Sequence, residues 1–265
     1  MTEISAQNVR MVFGGVHAVK DVSFRAGPEK IIGIIGPNGS GKTTMVNVCT
    51  GLYQPTSGRV VIDGSTVTAR GPRRATLVSR LGVSRTFQHP LAFSDLTVLE
   101  NVMVGAESRE FAGPAATVLG LPKGRAATRV ARELSMDCLE LVGMADHRDQ
   151  PVDRISPGNL HFLEVARAMA MRPGILFLDE PAAGLNPAET AVLGEIITTI
   201  KGRGVGVVLI EHDVQFVVRT CDEIMVMNFG EQIAYGTPDV ITNDPQVMEA
   251  YLGTTGRSGI GLAHD

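Results

Sequence analysis

The chain has 265 residues, enough for one large domain or a core with a subdomain, and it can bury a substantial core. With 44% apolar and 20% charged residues the composition is that of a soluble globular protein, and a net charge of −4 argues against general nucleic-acid binding as the main task. Cys49, Cys138 and Cys221 are far apart, show no metal-ligand spacing, and read as small buried apolar residues in a reducing compartment.

The opening MTEISAQNVR lacks the charged-then-apolar layout of a secretory signal. No run approaches the ~18 apolar residues of a spanning helix. The expectation is a cytoplasmic chain whose link to any membrane goes through a partner. Residues 3–26 alternate apolar and polar in short pieces, as a hairpin or small antiparallel sheet does. IIGII (31–35) is a strand buried on both faces. A glycine-rich turn then opens a helix near Lys42, which Gly51 and Pro55 end, and GRVVID (58–63) gives a further short strand before Gly64. LGVSRTF reads as strand-like and leads into a mostly helical stretch over about 89–170. Within that stretch 128–142 has the three- and four-residue spacing of an amphipathic helix, and REFAGPAATVLGLPKGR before it reads as an irregular connection or short helical hairpin. ILFLD (175–179) and VGVVLI (205–210) are again fully apolar strands around a helix at 187–201, and 224–235 reads as two late strands turning at Asn228–Gly230. Strands alternating with helices predict an α/β sheet. The expected organisation is an α/β P-loop core of 1–88 and 171–235 carrying an N-terminal antiparallel β subdomain, a helical insertion at 89–170, and a tail at 236–265.

GPNGSGKTT (36–44) is G-x-x-x-x-G-K-T placed between a buried strand and a helix, the context that identifies a P-loop. Its residues Gly36, Pro37, Asn38, Gly39, Ser40, Gly41, Lys42, Thr43 and Thr44 are the candidate phosphate cradle. Gly39 and Gly41 let successive N–H groups point at phosphates, Lys42 supplies a charge for the β and γ phosphates, and the Thr43 hydroxyl can ligate Mg²⁺. Asp179 ends a buried strand at its carboxyl edge, where ligands sit in open α/β sheets, and can hold Mg²⁺. Glu180 follows and can orient or deprotonate an attacking water. With a P-loop upstream, this acid pair points to nucleoside triphosphate hydrolysis. His212, at another strand end, can bond the γ phosphate as a neutral imidazole. Gln88 can touch Mg²⁺ or the water and report occupancy to the insertion. Ser156 and Gly158 open the helix in ISPGNLHFLEVARAM. They are either an anion-binding helix end or an N-cap ahead of a helix-compatible Pro157.

GPNGSGKTT, Gln88, the 155–169 stretch, ILFLDEP and His212, in this order and spacing, resemble the nucleotide-binding subunit of ABC transporters over essentially the whole chain. FGGVHAVKDVSF, RTFQHPLAFSDLTVLENV, DEPAAGLNPAET, IEHD and GTPDVITNDPQVMEAYLG narrow the resemblance to the ATPase of branched-chain amino-acid importers and related amide or urea importers. The ATPase of the lipopolysaccharide exporter shares the YLG ending and is the nearest alternative; a non-transport ABC ATPase, a P-loop kinase and an ATPase-dead scaffold are more distant ones. The resemblance implies that ATP and Mg²⁺ bind and that Phe13 stacks on adenine. It implies that 182–187 crosses to a partner's site and that Gln88 with the insertion meets a membrane permease. It further implies a head-to-tail pair of ATPases, homodimeric or with a sister chain, two permease subunits, an extracytoplasmic solute receptor, and a place on the inner face of the membrane. In the family signature a Gln stands at Asn159 and polar or basic residues at Leu160-His161-Phe162. This departure falls on the motif that serves the partner's nucleotide.

Overall fold

A computed structural model of the chain describes residues 2–67, 71–86, 91–110 and 122–252. The chain divides into two compact units, one comprising Met1–Val83, Gly174–Pro181 and Ile200–Asp265, the other Ser84–Pro173 and Ala182–Thr199.

The first unit is built on two sheets. β1 (Ile4–Phe13) and β2 (Val16–Ala26) form the expected hairpin, and Gly14 and Gly15 supply the two positive φ values, 52° and 89°, that its tight turn needs. Together with β4 (Ser57–Ile62) and β5 (Ser65–Thr66) they make an antiparallel sheet of order β2-β1-β4-β5. Alternation along β1 sends Ile4, Ala6, Val9 and Met11 into the core, with register shifts between Ala6 and Val12. The second sheet has the order β10-β9-β3-β8-β7-β6. Its strands are β3 (Ile31–Ile35), β6 (Val83–Arg85), β7 (Ile175–Asp179), β8 (Gly206–Ile210), β9 (Glu223–Asn228) and β10 (Glu231–Gly236). β3, β7 and β8 are buried along their whole length, which is why their sequences are continuous apolar runs.

The register decides where the site lies. Ile34 pairs with Ile210, and Asp179 also pairs with Ile210, in parallel strands. The residues after Ile35, Asp179 itself and the pair Glu211-His212 therefore emerge at one carboxyl edge. Behind that edge α7 (Val214–Thr220) lies so close to β3 that a Cβ on Gly33 would fall 2.6 Å from Val217 Cγ1, so only glycine fits there.

Several elements go beyond the sequence reading. α2 (Pro72–Arg80), the short α7, and α8 (Pro238–Thr242) and α9 (Pro245–Leu252) in the tail were not anticipated. Each is nine residues or fewer, too short for a helical period to stand out. α1 runs Lys42–Cys49 as expected.

The second unit is helical. α3 (Val98–Glu110), α4 (Pro122–Leu141) and α5 (Pro157–Ala170) pack against one another, and α6 (Pro187–Gly202) starts in this unit. α4 begins six residues before the expected start at Thr128, because Pro122 suits a first helical turn and the PKGR sequence continues into the helix. Most of the connection expected there, 111–121, lies outside the described residues. The buried Asn101 amide donates to Phe93 O, Leu96 O and Thr97 O and so fixes the turn leading into α3. Cys49, Cys138 and Cys221 are all buried, and none of the three is in a disulfide.

Candidate functional site

The P-loop leaves β3 at Gly36 and enters α1 at Lys42. Gly36, Gly39 and Gly41 have φ values of 153°, 80° and 101°, so three of its residues use backbone open mainly to glycine. The loop rests on neighbouring backbone: Gly230 N donates to Ser40 O at 3.0 Å, and a Cβ on Gly41 would collide with Ala18 O. Gly41 caps α1 in the left-handed conformation with no side-chain cap, leaving the first helical N–H groups to an external acceptor. The Lys42 side chain lies back along the loop, with Nζ donating to Gly36 O at 2.7 Å and Pro37 O at 3.2 Å. Burial lowers its pKa, while the charges of Glu180 and Asp179 oppose that shift. An ammonium in this position gains much from an anionic phosphate.

Asp179 is 2% exposed at the end of β7. Glu180 follows with φ 49°, a left-handed conformation uncommon for a side chain of this size, and its N–H donates to Ile210 O at 2.9 Å. That bond holds the peptide turned at the sheet edge, where Glu180 follows Asp179 directly. His212 is exposed by 64% of its side chain, and its Nδ1 lies 3.6 Å from Oε2 of Glu211, which is wholly buried. The same oxygen accepts the His212 N–H at 3.2 Å. Glu211 was not singled out from the sequence, although an acid ending an apolar strand immediately before His212 is the signal that marks it. Its carboxylate holds the backbone from which the imidazole projects.

Phe13 closes β1, 41% exposed, and its ring forms an edge-to-face pair with that of Tyr53. Gln88 lies outside the described residues.

In the second unit the helix end singled out from the sequence is α5. Ser156 is its N-cap, and its Oγ accepts the Asn159 N–H at 3.1 Å. A hydroxyl that accepts one bond still has its O–H to donate, so the cap and an anion contact are compatible. Gly158 is buried, and a Cβ there would overlap Glu189 Oε1. The other oxygen of Glu189 accepts the Asn186 N–H at 2.9 Å, while Asn186 Oδ1 accepts from the N–H groups of Ala188 and Glu189. This is a capping box at the start of α6, legible afterwards in the Asn-x-x-Glu spacing. Its carboxylate lies against Gly158, so a side chain there would have to displace a group already held in the capping box. Burial lowers the pKa of His161 on the next turn, with the Glu189 charge opposing.

The donor set fits a triphosphate. The Ser40 hydroxyl is buried with no partner among the described residues, inside a loop whose first glycine has no room for a Cβ beside it. Among the described residues no group of three His, Cys, Asp or Glu side chains could hold a metal alone. The Thr43 hydroxyl and Asp179 carboxylate suit a hard cation that also takes phosphate oxygens.

Comparison with known proteins identifies the family. The ABC transporter family profile matches residues 19–183, and one described as branched-chain amino acid ATP-binding cassette transporter matches 231–256. The chain is 39% identical over 251 residues to the high-affinity branched-chain amino acid transport ATP-binding protein LivG of Escherichia coli K12, covering 94% of this chain and 97% of that one. It is 31% identical over 253 residues to the lipopolysaccharide export system ATP-binding protein LptB of Haemophilus influenzae, covering 96% and 98%. Among solved structures, the ADP conformation of an ATP-binding cassette of an ABC transporter superposes with a TM-score of 0.81 at 29% identity, covering 96% of this chain and 99% of that one. With the profile spanning more than half of its length, the chain belongs to the ABC transporter family of ATP-binding cassettes.

Proposed function

We propose that this chain is the ATP-hydrolysing subunit that energises import of branched-chain amino acids, or closely related small solutes, through a membrane permease pair. The observation that carries the substrate class is the 39% identity to LivG along nearly the whole chain, against 31% to LptB. The convergence of the P-loop, Asp179, Glu180 and His212 on one sheet edge supports the chemistry.

In this reading the Gly39–Thr44 N–H groups and Lys42 bind the phosphates, and Phe13 receives the adenine. The residues that would hold Mg²⁺ are Thr43 and Asp179, with Gln88 as a third contact; the cation supplies charge neutralisation on the β and γ phosphates. Glu180 orients a water in line with the γ phosphate and accepts its proton. His212 donates to a γ-phosphate oxygen, and Glu211 holds the backbone that carries it. The leaving ADP keeps the bonds of the P-loop.

Ser156 and Gly158 would serve the nucleotide of a second cassette paired head to tail. Binding then closes the pair and hydrolysis opens it, a population shift driven by γ-phosphate contacts present only in the closed state. No described helix is long and apolar enough to cross a membrane, so attachment to the inner membrane face would come through the permeases. A groove of about 560 Å³ in the second unit, with Leu91, Phe93 and Val104 exposed along it, supports a helix-sized permease contact there.

The test is uptake of radiolabelled leucine by cells lacking the gene for this chain. Restoring the wild-type chain should restore uptake, and Lys42→Ala should not, because it loses about ten- to a hundredfold in ATP affinity. Leucine uptake unchanged by the deletion would overturn the substrate assignment.

A further inference from the structure

Phe13 is poorly anchored by its own strand. It is the last residue of β1, its hairpin partner Val16 is 67% exposed, and two glycines follow it. Its ring is nonetheless held. The Tyr53 ring lies 5.4 Å away, centroid to centroid, at 74°. Edge-to-face pairs of this kind are favoured because the positive edge of one ring meets the negative face of the other. Whichever ring offers its edge, at least one face of Phe13 stays uncovered by Tyr53.

The loop carrying Tyr53 is itself pinned at both ends. Tyr53 N donates to Asn47 O in α1 at 3.0 Å. Thr56 N donates to Arg10 O at 2.8 Å, and Thr56 Oγ1 accepts the Val12 N–H at 3.0 Å. One end of the loop is thus fixed to the helix that the P-loop opens, the other to the strand that ends in Phe13. The contact with Phe13 is made ring to ring.

We infer that Tyr53 is a positioning residue for the nucleotide base: its ring presets the Phe13 ring as a stacking platform and ties that platform to the P-loop helix. The inference rests on the reading of Phe13 as the adenine platform. A ring already fixed before binding has less rotamer freedom to lose when the base arrives, which strengthens binding of the base and leaves the phosphates unaffected.

The experiment is a double-mutant cycle on the full chain, measuring Kd for ATP and for inorganic tripolyphosphate by titration calorimetry. Tyr53→Ala should weaken ATP about two- to tenfold, the scale of one aromatic pair. Its affinity for tripolyphosphate should stay within about twofold, which also shows that the P-loop is intact. Tyr53→Phe should behave as wild type. In a Phe13→Ala background, Tyr53→Ala should add nothing. If Phe13→Ala leaves ATP affinity unchanged, the platform reading fails and the inference with it. If Phe13→Ala weakens ATP but Tyr53→Ala does not, or acts equally in both backgrounds or on tripolyphosphate, the positioning role alone is overturned. The chain contains no tryptophan, so Phe13→Trp adds a single fluorescent reporter of stacking, quenched by ATP and not by tripolyphosphate if the platform reading holds.

Discussion

Two helix N-termini in this molecule carry the same backbone dipole and meet different fates. At α1 the cap is Gly41 in a left-handed conformation with no side-chain acceptor, and Lys42 stands beside the unspent N–H groups. At α5 the cap is Ser156, one N–H is already spent on its oxygen, Pro157 contributes none, and the Glu189 carboxylate lies against Gly158. A helix end becomes an anion site when its own chain declines to satisfy it. The first is left open to a ligand; the second is partly capped from within, with the Ser156 O–H and the Gly158 backbone left as what it could offer a phosphate.

On that contrast, substitutions on the P-loop side of the molecule act on turnover, and those at the second helix end act on stability. Glu180→Gln should lower ATP turnover by about 10²- to 10⁴-fold, the usual weight of a general base, with nucleotide affinity kept. Steady-state phosphate release checks it, and a rate close to wild type would remove Glu180 from the mechanism. Gly158→Ala should act on the fold, costing about 1–2 kcal/mol as the added methyl pushes on Glu189. The same substitution in a Glu189→Ala chain should cost little beyond the Glu189→Ala change. Urea denaturation of the four chains gives the coupling, and an equal penalty in both backgrounds would deny the packing role of Gly158. The smallest effect concerns His161. Burial lowers its folded-state pKa below the usual value of about 6.5, so the unfolded chain binds more protons as pH falls past that value. Its contribution to stability is therefore present above about pH 6.5 and lost progressively below it. His161→Gln should flatten the fall of the melting temperature as pH drops below about 6.5.

Much of the site was legible because its chemistry is local. G-x-x-x-x-G-K-T between a buried strand and a helix names its own function, and Asp179-Glu180 after ILFLD needs only the strand to be placed. Glu189 was not legible in the same way. Its Asn-x-x-Glu spacing announces a capping box, but nothing in the sequence places that box against Gly158, thirty-one residues earlier. Tyr53 escaped for a like reason, since a tyrosine after a helix has no pattern of its own until the fold brings it to Phe13.

The sequence by itself determined the main strands and the longer helices, and it marked the candidate phosphate cradle and acid pair. Backbone conformation and hydrophobic period are set by neighbouring residues, and a P-loop offers phosphates the N–H groups of one short segment. The tertiary structure decided what depends on distance between remote segments. It set the left-handed turn of Glu180 under Ile210 and the ring braced against Phe13. It also decided that Gly158 answers to a carboxylate on another helix, because steric fit exists only once both helices are in place.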